Sequence, residues 1–243
     1  MKQYEAVIMV MEGKGGYATL GSLNQEVLKI KECKWKTKTP FASIRRIVQD
    51  ERFFFKIRPG LWALKTHKDK LPPEILAVKS VPKTKQEEYT HTYYQGLLVE
   101  IGNLKEYHTF VPNQDKNNSY LGKKLCEIST VQNIYRFSYD HILKRAKTVD
   151  VIWFNERYMP ARLFEVEHST TIQNSLIKFV EMQDFDTSFQ IVADNVRKRE
   201  FESKLTLEAF RPIQRRTRFL SYEEVSDWHS KTYEITTLEK NLF

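Results

Sequence analysis

With 243 residues, 41% of them hydrophobic and 13% aromatic, the chain can bury one large core or two modest ones, which excludes wholesale disorder. No apolar run reaches the ~20 residues needed to cross a bilayer, and the early run MKQYEAVIMVMEGKGG, broken by Glu5 and Glu12, fits an amphipathic helix better than a secretory leader. Two distant cysteines, Cys33 and Cys126, match no disulfide framework or zinc spacing and read as reduced thiols of a cytoplasmic protein. The net charge of +8 is uneven: residues 1–88 hold 18 Lys/Arg against 10 Asp/Glu, whereas residues 89–243 hold 21 of each. A basic module joined to a neutral one suggests a part that grips nucleic acid and a part that does something else.

Helical spacing of Tyr4, Val7, Ile8 and Met11 predicts a first helix over Gln3–Glu12, ended by Gly13, Gly15 and Gly16. Thr19 to Leu23 leads into a second helix that runs to about Ile30. A lysine-rich loop containing Trp35 follows, and Thr39-Pro40 then looks like a cap with proline at the first helical position. The third helix buries Phe41, Ile44, Ile47 and Val48 and turns Ser43, Arg45, Arg46 and Gln49 outward. From Phe53 to Leu64 two short strands flank the Pro59-Gly60 turn.

Three helices and a hairpin make a winged helix-turn-helix. The phrase TPFASIRRIVQDERFFFKIRPGLWAL resembles the HARE-HTH domain, a winged-helix module found beside restriction endonucleases and in chromatin proteins, over roughly residues 1–66. That resemblance implies a DNA-binding module. The exposed face of its third helix would enter the major groove, with Arg45 and Arg46 as base or phosphate contacts and Lys36, Lys38, Ser43 and Gln49 around them. Lys56 and Arg58 on the wing would sit over phosphates. The plainer alternative is a solvated helix face on a protein-binding domain.

Residues 67–88, polar and rich in lysine and proline, read as an inter-domain linker, with a short helical piece at Pro73–Val78. Helical pattern resumes at Tyr89, with Leu97, Leu98, Ile101 and Leu104 toward the core and Glu100 near the end. Tyr107–Pro112 reads as a strand. Asn117–Lys124 reads as a mobile loop whose Lys123 and Lys124 are placed to follow a phosphate backbone.

The most informative stretch is VDVIWFNERYMPARLFEVEHSTT, residues 149–171. It predicts a buried strand beginning at Asp150, a polar turn, and a second strand from Ala161 to Glu167. Alternation puts Glu165 and Glu167 on one face, and hairpin pairing lets Asp150 join them. Three acids meeting at a strand end call for a cation, and an all-oxygen cluster suits Mg²⁺ or Mn²⁺ rather than zinc. The alternative is a strand with incidental glutamates.

The spacing D-x(14)-E-x-E, with each acid in an apolar strand and a Ser/Thr-rich helix start after it, resembles the PD-(D/E)XK nuclease core. The resemblance implies that residues 89–243 form a restriction-endonuclease-like domain, an α/β fold with a mixed β-sheet flanked by helices. It also implies that Asp150 and Glu165 bind metal, and that Glu167 stands where a catalytic lysine is usual. Glu100 falls where the family's early helix supplies a further glutamate. Some relatives carry a lysine or polar residue on the helix after the acidic strand; Lys178 and Asn174 are the candidates here, against a reading of Lys178 as a surface lysine.

Taken together, these features point to a Mg²⁺-dependent (or Mn²⁺-dependent) endonuclease of a type II restriction system acting on double-stranded DNA. A cognate DNA methyltransferase is then expected in the same system, and cutting both strands calls for a homodimer or sequential nicking. The alternatives are a modification-dependent nuclease, and a DNA-binding regulator whose nuclease fold has lost activity with its lysine.

Overall fold

A computed structural model describes residues 1–76 and 82–239. The chain forms two compact units, one of Met1–Val81 with Ser226–Phe243 and the other of Pro82–Val225.

The first unit runs α1 (Gln3–Gly13), β1 (Tyr17–Thr19), α2 (Leu20–Glu26), α3 (Pro40–Ile47), β2 (Phe54–Arg58), β3 (Leu61–Leu64) and α4 (Pro73–Leu76). Its strands make an antiparallel sheet in the order β1-β3-β2. Gly60, at φ +75°, turns β2 into β3, a conformation glycine adopts without a Cβ penalty. The Thr19 side chain caps α2 by accepting from Ser22 N at 3.2 Å. Pro40 opens α3 as expected. Val7, Met11, Leu23, Val27, Ile44, Val48 and Phe54 are fully buried in one core. Strand β1 escaped the sequence pattern because three residues are too few to show alternation.

The second unit opens with α5 (Lys83–Leu104) and continues through β4 (His108–Phe110), β5 (Ser119–Tyr120), β6 (Lys123–Lys124), α6 (Leu125–Ile128), α7 (Asp140–Ala146), β7 (Val151–Phe154), β8 (Pro160–Glu167), α8 (Ile172–Val180), β9 (Ser188–Ala193), α9 (Lys198–Leu205) and β10 (Thr217–Ser221). The five-stranded sheet has the order β10-β9-β8-β7-β4. Pairs β4–β7 and β7–β8 are antiparallel, and β8–β9 and β9–β10 are parallel. The fold is therefore mixed α/β with a mixed sheet flanked by helices, as expected. Helix α8 bridges the parallel pair β8–β9 in the manner parallel strands require. On its side of the sheet lie Ile152, Phe154, Leu163, Phe179, Phe189 and Ile191, the core of the unit.

Several boundaries differ from the pattern-based ones. Helix α5 begins at Lys83, so the last residues assigned to the linker are its first turns; their charge concealed them, since that turn has no apolar stripe to reveal it. Of the helical piece expected at Pro73–Val78, Pro73–Leu76 is helical and the rest lies outside the described residues. The segment expected to be a mobile loop is the β5–β6 hairpin. Leu121 (φ 49°) and Gly122 (φ 84°) make its two-residue turn. Tyr120 is buried against Gly96, where an added Cβ would run into the ring, and its hydroxyl donates to Glu100 at 3.0 Å. At the other end of the chain comes α10 (Tyr222–Glu239), and from Ser226 onward its residues belong to the first unit. Asn24 there donates to Glu234 at 3.0 Å, and Ser226 Oγ donates to Pro59 O at 2.9 Å. Among the described residues no helix is long and apolar enough to cross a membrane, and both cysteines are free.

Candidate active site

At the carboxyl end of β8 a cleft of about 410 Å³ opens between α5, α8 and the loop that joins β8 to α8. Because β7 runs antiparallel to β8 with Val151 opposite Phe164, the residue before β7 comes to the same end as Glu165. That residue is Asp150. It is buried, and its Oδ2 accepts from Val166 N at 2.7 Å, which pins it across the hairpin.

Glu165 and Glu167 project toward α8, one residue apart on each side of Val166. Ser175, buried on the first turns of α8, donates to Glu165 Oε2 at 3.0 Å and also to Glu167 Oε1. Thr170 donates to the other Glu167 oxygen. Lys178, one turn after Ser175 on the same helix face, reaches both Glu165 oxygens at 2.7 and 3.0 Å and the Thr148 carbonyl at 2.9 Å. The expectation of a surface lysine is thus corrected: its side chain is largely covered and spent on a buried carboxylate. Arg197 donates to the carbonyls of Thr170 at 2.6 Å and His168 at 3.3 Å, which fixes the loop carrying Thr170. Its guanidinium stands 4.0 Å from Glu167.

Two residues that sequence reasoning passed over complete the site. His91, on α5, places Nε2 3.2 Å from Asp150 Oδ2. Asp115 follows β4 in a loop held by backbone bonds from Cys126 N to Lys116 O and from Leu125 N to Asn118 O. Ligand atoms of His91, Asp115 and Asp150 all lie within 4.8 Å of one another, the one such group among the described residues. Gln95, fully buried one turn beyond His91, donates to Asp115 at 2.9 Å and to the Asp150 carbonyl at 3.2 Å. Its Oε1 has no partner. Neither His91 nor Asp115 belongs to a strand pattern or motif; His91 was detectable only as a polar residue one turn before the buried Gln95 on α5.

The acids carry the mark of crowding. Burial, and then the charge of Asp150, push Glu165 well above the usual carboxylate range even against the pull of Lys178. Burial also raises Asp115. Burial opposes the charged form of His91, yet Asp150, with Asp115 and Glu165 beyond it, outweighs that cost and holds the imidazole at about 9. Lys178 loses to burial but gains more from Glu165 and Asp150, so it stays charged.

The sequence-predicted residues divide clearly. Asp150, Glu165, Glu167, Lys178 and Asn174 line one cleft. Glu100 does not: it lies nine residues beyond His91, on the far side of α5, and accepts from Tyr120. The α5 acids that do reach the cleft are Glu87 and Glu88, with Glu87 accepting from Ser169 at 2.7 Å. In the first unit Lys36, Lys38, Lys56, Arg46 and Gln49 are exposed and Ser43 half-exposed. Arg45 is exposed but paired with Glu234 at 3.2 Å. Arg58 is half-buried and donates to the carbonyls of Glu74 and Ile75, each at 3.3 Å, so its charge braces α4. Lys123 and Lys124 stand exposed on the β5–β6 hairpin of the second unit.

The family model for the type II restriction enzyme NmeDI C-terminal domain matches residues 70–242. The chain belongs to that family. Within the curated proteins, the type II restriction enzyme NmeDI of Neisseria meningitidis serogroup C is 28% identical over 167 residues, covering 62% of this chain and 47% of the relative. The chain thus spans about half the length of that relative. No solved structure matches. The NmeDI-type match encloses α5, the sheet and α8, so every residue of the acidic cleft lies inside it.

Proposed function

We propose that this chain is a metal-dependent endodeoxyribonuclease of a type II restriction system that hydrolyses phosphodiester bonds in double-stranded DNA. The observation that carries the proposal is the junction of Asp150, Glu165 and Lys178 at one end of a mixed sheet, inside a region that belongs to the NmeDI C-terminal family. The arrangement supports the PD-(D/E)XK resemblance, with the lysine supplied from α8 in place of the position held by Glu167.

The residues fit a hard divalent cation. Four carboxylates (Asp115, Asp150, Glu165 and Glu167) converge with too few cations to balance them, burial pushes Asp115 and Glu165 above the usual carboxylate range, and the unpartnered Gln95 oxygen adds a neutral donor. Asp150 and Glu165 would hold Mg²⁺ or Mn²⁺, with Asp115 and His91 beside Asp150 and Glu167 beside Glu165. When bound, the ion supplies Lewis-acid stabilisation of the scissile phosphate and a lowered pKa for water.

The remaining work falls to the chain. Lys178, fixed by Thr148 and Glu165, presents a positive charge at the cleft for a phosphate oxygen or an attacking water. Ser175 and Thr170 orient Glu167, which can take a proton from that water. Arg197 keeps the 168–170 loop in place. Lys178 also weakens the reading of an inactive regulator, since that reading rested on a missing lysine.

The first unit has the order helix, strand, helix, helix, strand, strand with a three-stranded sheet, and we read it as the winged-helix, HARE-HTH-like DNA-binding part. Its exposed charges at Lys36, Lys38, Lys56 and Arg46 are suited to phosphates. Two chains together, or one chain acting twice, would cut both strands, and a DNA methyltransferase would protect the host. The test is digestion of duplex DNA by the purified protein with Mg²⁺ or with EDTA, on methylated and unmethylated substrates. Cleavage that persists in EDTA, or in an Asp150→Ala variant at the wild-type rate, would defeat the proposal.

A further inference from the structure

A second recess lies on the other side of the same sheet. Arg162 of β8 pairs with Ser188 of β9, and Gln190 of β9 pairs with Arg218 of β10. Alternation places these four on one face, opposite to the face that carries Glu165, because Glu165 is the neighbour of Phe164 and Phe164 pairs with Gln190. They also sit toward the starts of the parallel strands, whereas the acidic cleft is at the carboxyl end of β8. The recess measures about 470 Å³, within the range of small-molecule sites.

Its electrostatics are the reverse of the cleft's. Arg162, Arg215, Arg216 and Arg218 line it, against one carboxylate, Asp186. Arg215, Arg216 and Arg218 make no ion pair with any described residue. Arg216 is committed to the backbone, donating to the carbonyls of Gln183, Phe185 and Thr187, so it is a fixed positive charge in the wall. Arg215 and Arg218 are exposed, and the Arg218 guanidinium donates to its neighbour's carbonyl at 3.1 Å. Arg162 is held over the Trp153 ring, 5.8 Å from its centroid. Three guanidinium groups without an ion pair among the described residues leave the recess net positive, a field that favours an anion.

Two further features narrow the ligand. Gln190 is 4% exposed, and one end of its amide, Oε1, is buried without a partner while the other donates to the Ser188 hydroxyl at 3.1 Å. A hydroxyl can donate as well as accept, so the amide can turn over and leave its NH₂ as a buried donor without a partner in the wall of the recess. Tyr107, stacked on Trp153 at 5.2 Å, supplies an aromatic wall.

We propose that this recess is a phosphate-binding site of nucleotide size, with Arg215 and Arg218 gripping the phosphate, Gln190 and Ser188 completing its hydrogen bonds, and Tyr107 flanking the attached base. The site is separate from the acidic cleft and does not rest on the nuclease reading. The phosphate comes either from a free nucleotide or from a nucleic-acid strand lying across this face.

Calorimetric titration of the full chain in EDTA at low salt tests it, with inorganic phosphate, 2′-deoxyadenosine 5′-monophosphate and a short duplex as separate ligands. EDTA leaves the acidic cleft hostile to anions. Phosphate and the mononucleotide are expected to bind, the mononucleotide more tightly, and the Arg215→Ala/Arg218→Ala variant to bind about tenfold or more weakly. The Ser188→Asp variant, which keeps every arginine, is expected to lose binding as well. In the wild type, the amide signals of Ser188 and Gln190 shift on phosphate addition. Mononucleotide binding that weakens in the Arg215→Ala/Arg218→Ala variant while duplex binding does not assigns the site to free nucleotides, and duplex binding that weakens in that variant assigns it to a strand. Equal phosphate binding in wild type and both variants, or unmoved Ser188 and Gln190 signals, overturns the proposal.

Discussion

Lys178 Nζ lies 2.7 Å from Glu165 Oε2 and 2.9 Å from the Thr148 carbonyl, so a single ammonium ties α8 both to β8 and to the turn that precedes β7. Charge and position are supplied by the same contact. Glu165 keeps a counterion in the absence of metal, and Asp150 is held next to it by the Val166 amide.

Replacing Lys178 with methionine is therefore expected to lower DNA cleavage by about 100-fold or more, and Lys178→Arg to recover only part of it. The stability loss should stay near the low end of about 1–3 kcal/mol, because burial raises the Glu165 carboxyl and so makes it easier for that group to take up a proton once the lysine is gone. Cleavage rates and thermal melts of both variants check this. A Lys178→Met enzyme that cuts normally would return the lysine to a structural role.

Ser175 Oγ lies within hydrogen-bonding distance of two buried glutamates, which share its single proton. Ser175→Ala removes that donor, and one hydrogen bond to a charged group contributes about 1.5–3 kcal/mol. Melting in EDTA should show a loss of about that size or less, partly restored by Mg²⁺. Ser175→Thr should recover part of the loss if its methyl fits against α8. An unchanged melting temperature for Ser175→Ala would show that the two glutamates do not depend on the bridge.

Mg²⁺ should stabilise the protein against heat, by about 2.7 kcal/mol at a hundred times its dissociation constant. Asp150→Asn and Asp115→Asn should each reduce that shift, since both residues belong to the close group with His91. The same shift in wild type and in Asp150→Asn would place the ion elsewhere.

The imidazole of His91 is held at about 9 in the folded chain against an ordinary 6.5. Since the folded value is the higher one, its stabilisation is complete below about 6.5 and fades as pH rises through 9. Unfolding free energies of wild type and His91→Gln in EDTA should differ most near pH 6 and converge by about pH 10. A difference that stays constant across this window would contradict a charged His91 beside Asp150.

In the first unit, Arg46→Ala and Lys36→Ala are expected to weaken DNA binding at all sequences and to reduce the salt slope by about one each. Arg58→Ala should instead lower stability, because Arg58 donates to the Glu74 and Ile75 carbonyls. Binding measured across a salt series, beside melting curves, separates the two effects. Equal salt slopes in wild type and Arg46→Ala would remove α3 from the DNA-facing surface.

What the sequence determined by itself was local. The period-two alternation from Ala161 to Glu167, the helix stripe Ile172, Leu176 and Phe179, and the Pro-Gly turn between β2 and β3 are all written in neighbouring residues. Short-range sterics and burial dictate them. The meeting of Asp150 with Glu165 needed the hairpin register itself, which shifts between Trp153 and Phe154 next to the turn. The tertiary structure alone decided which distant groups complete the site. Asp115 arrives on an irregular loop and His91 on the polar first half of α5. Lys178 could be told from any surface lysine only once α8 lay against β8. Glu100 was lost for the matching reason: helix phase put it beside Tyr120. Charges several helical turns or a whole loop away from their partners leave no periodic trace, and only packing brings them within Coulomb range.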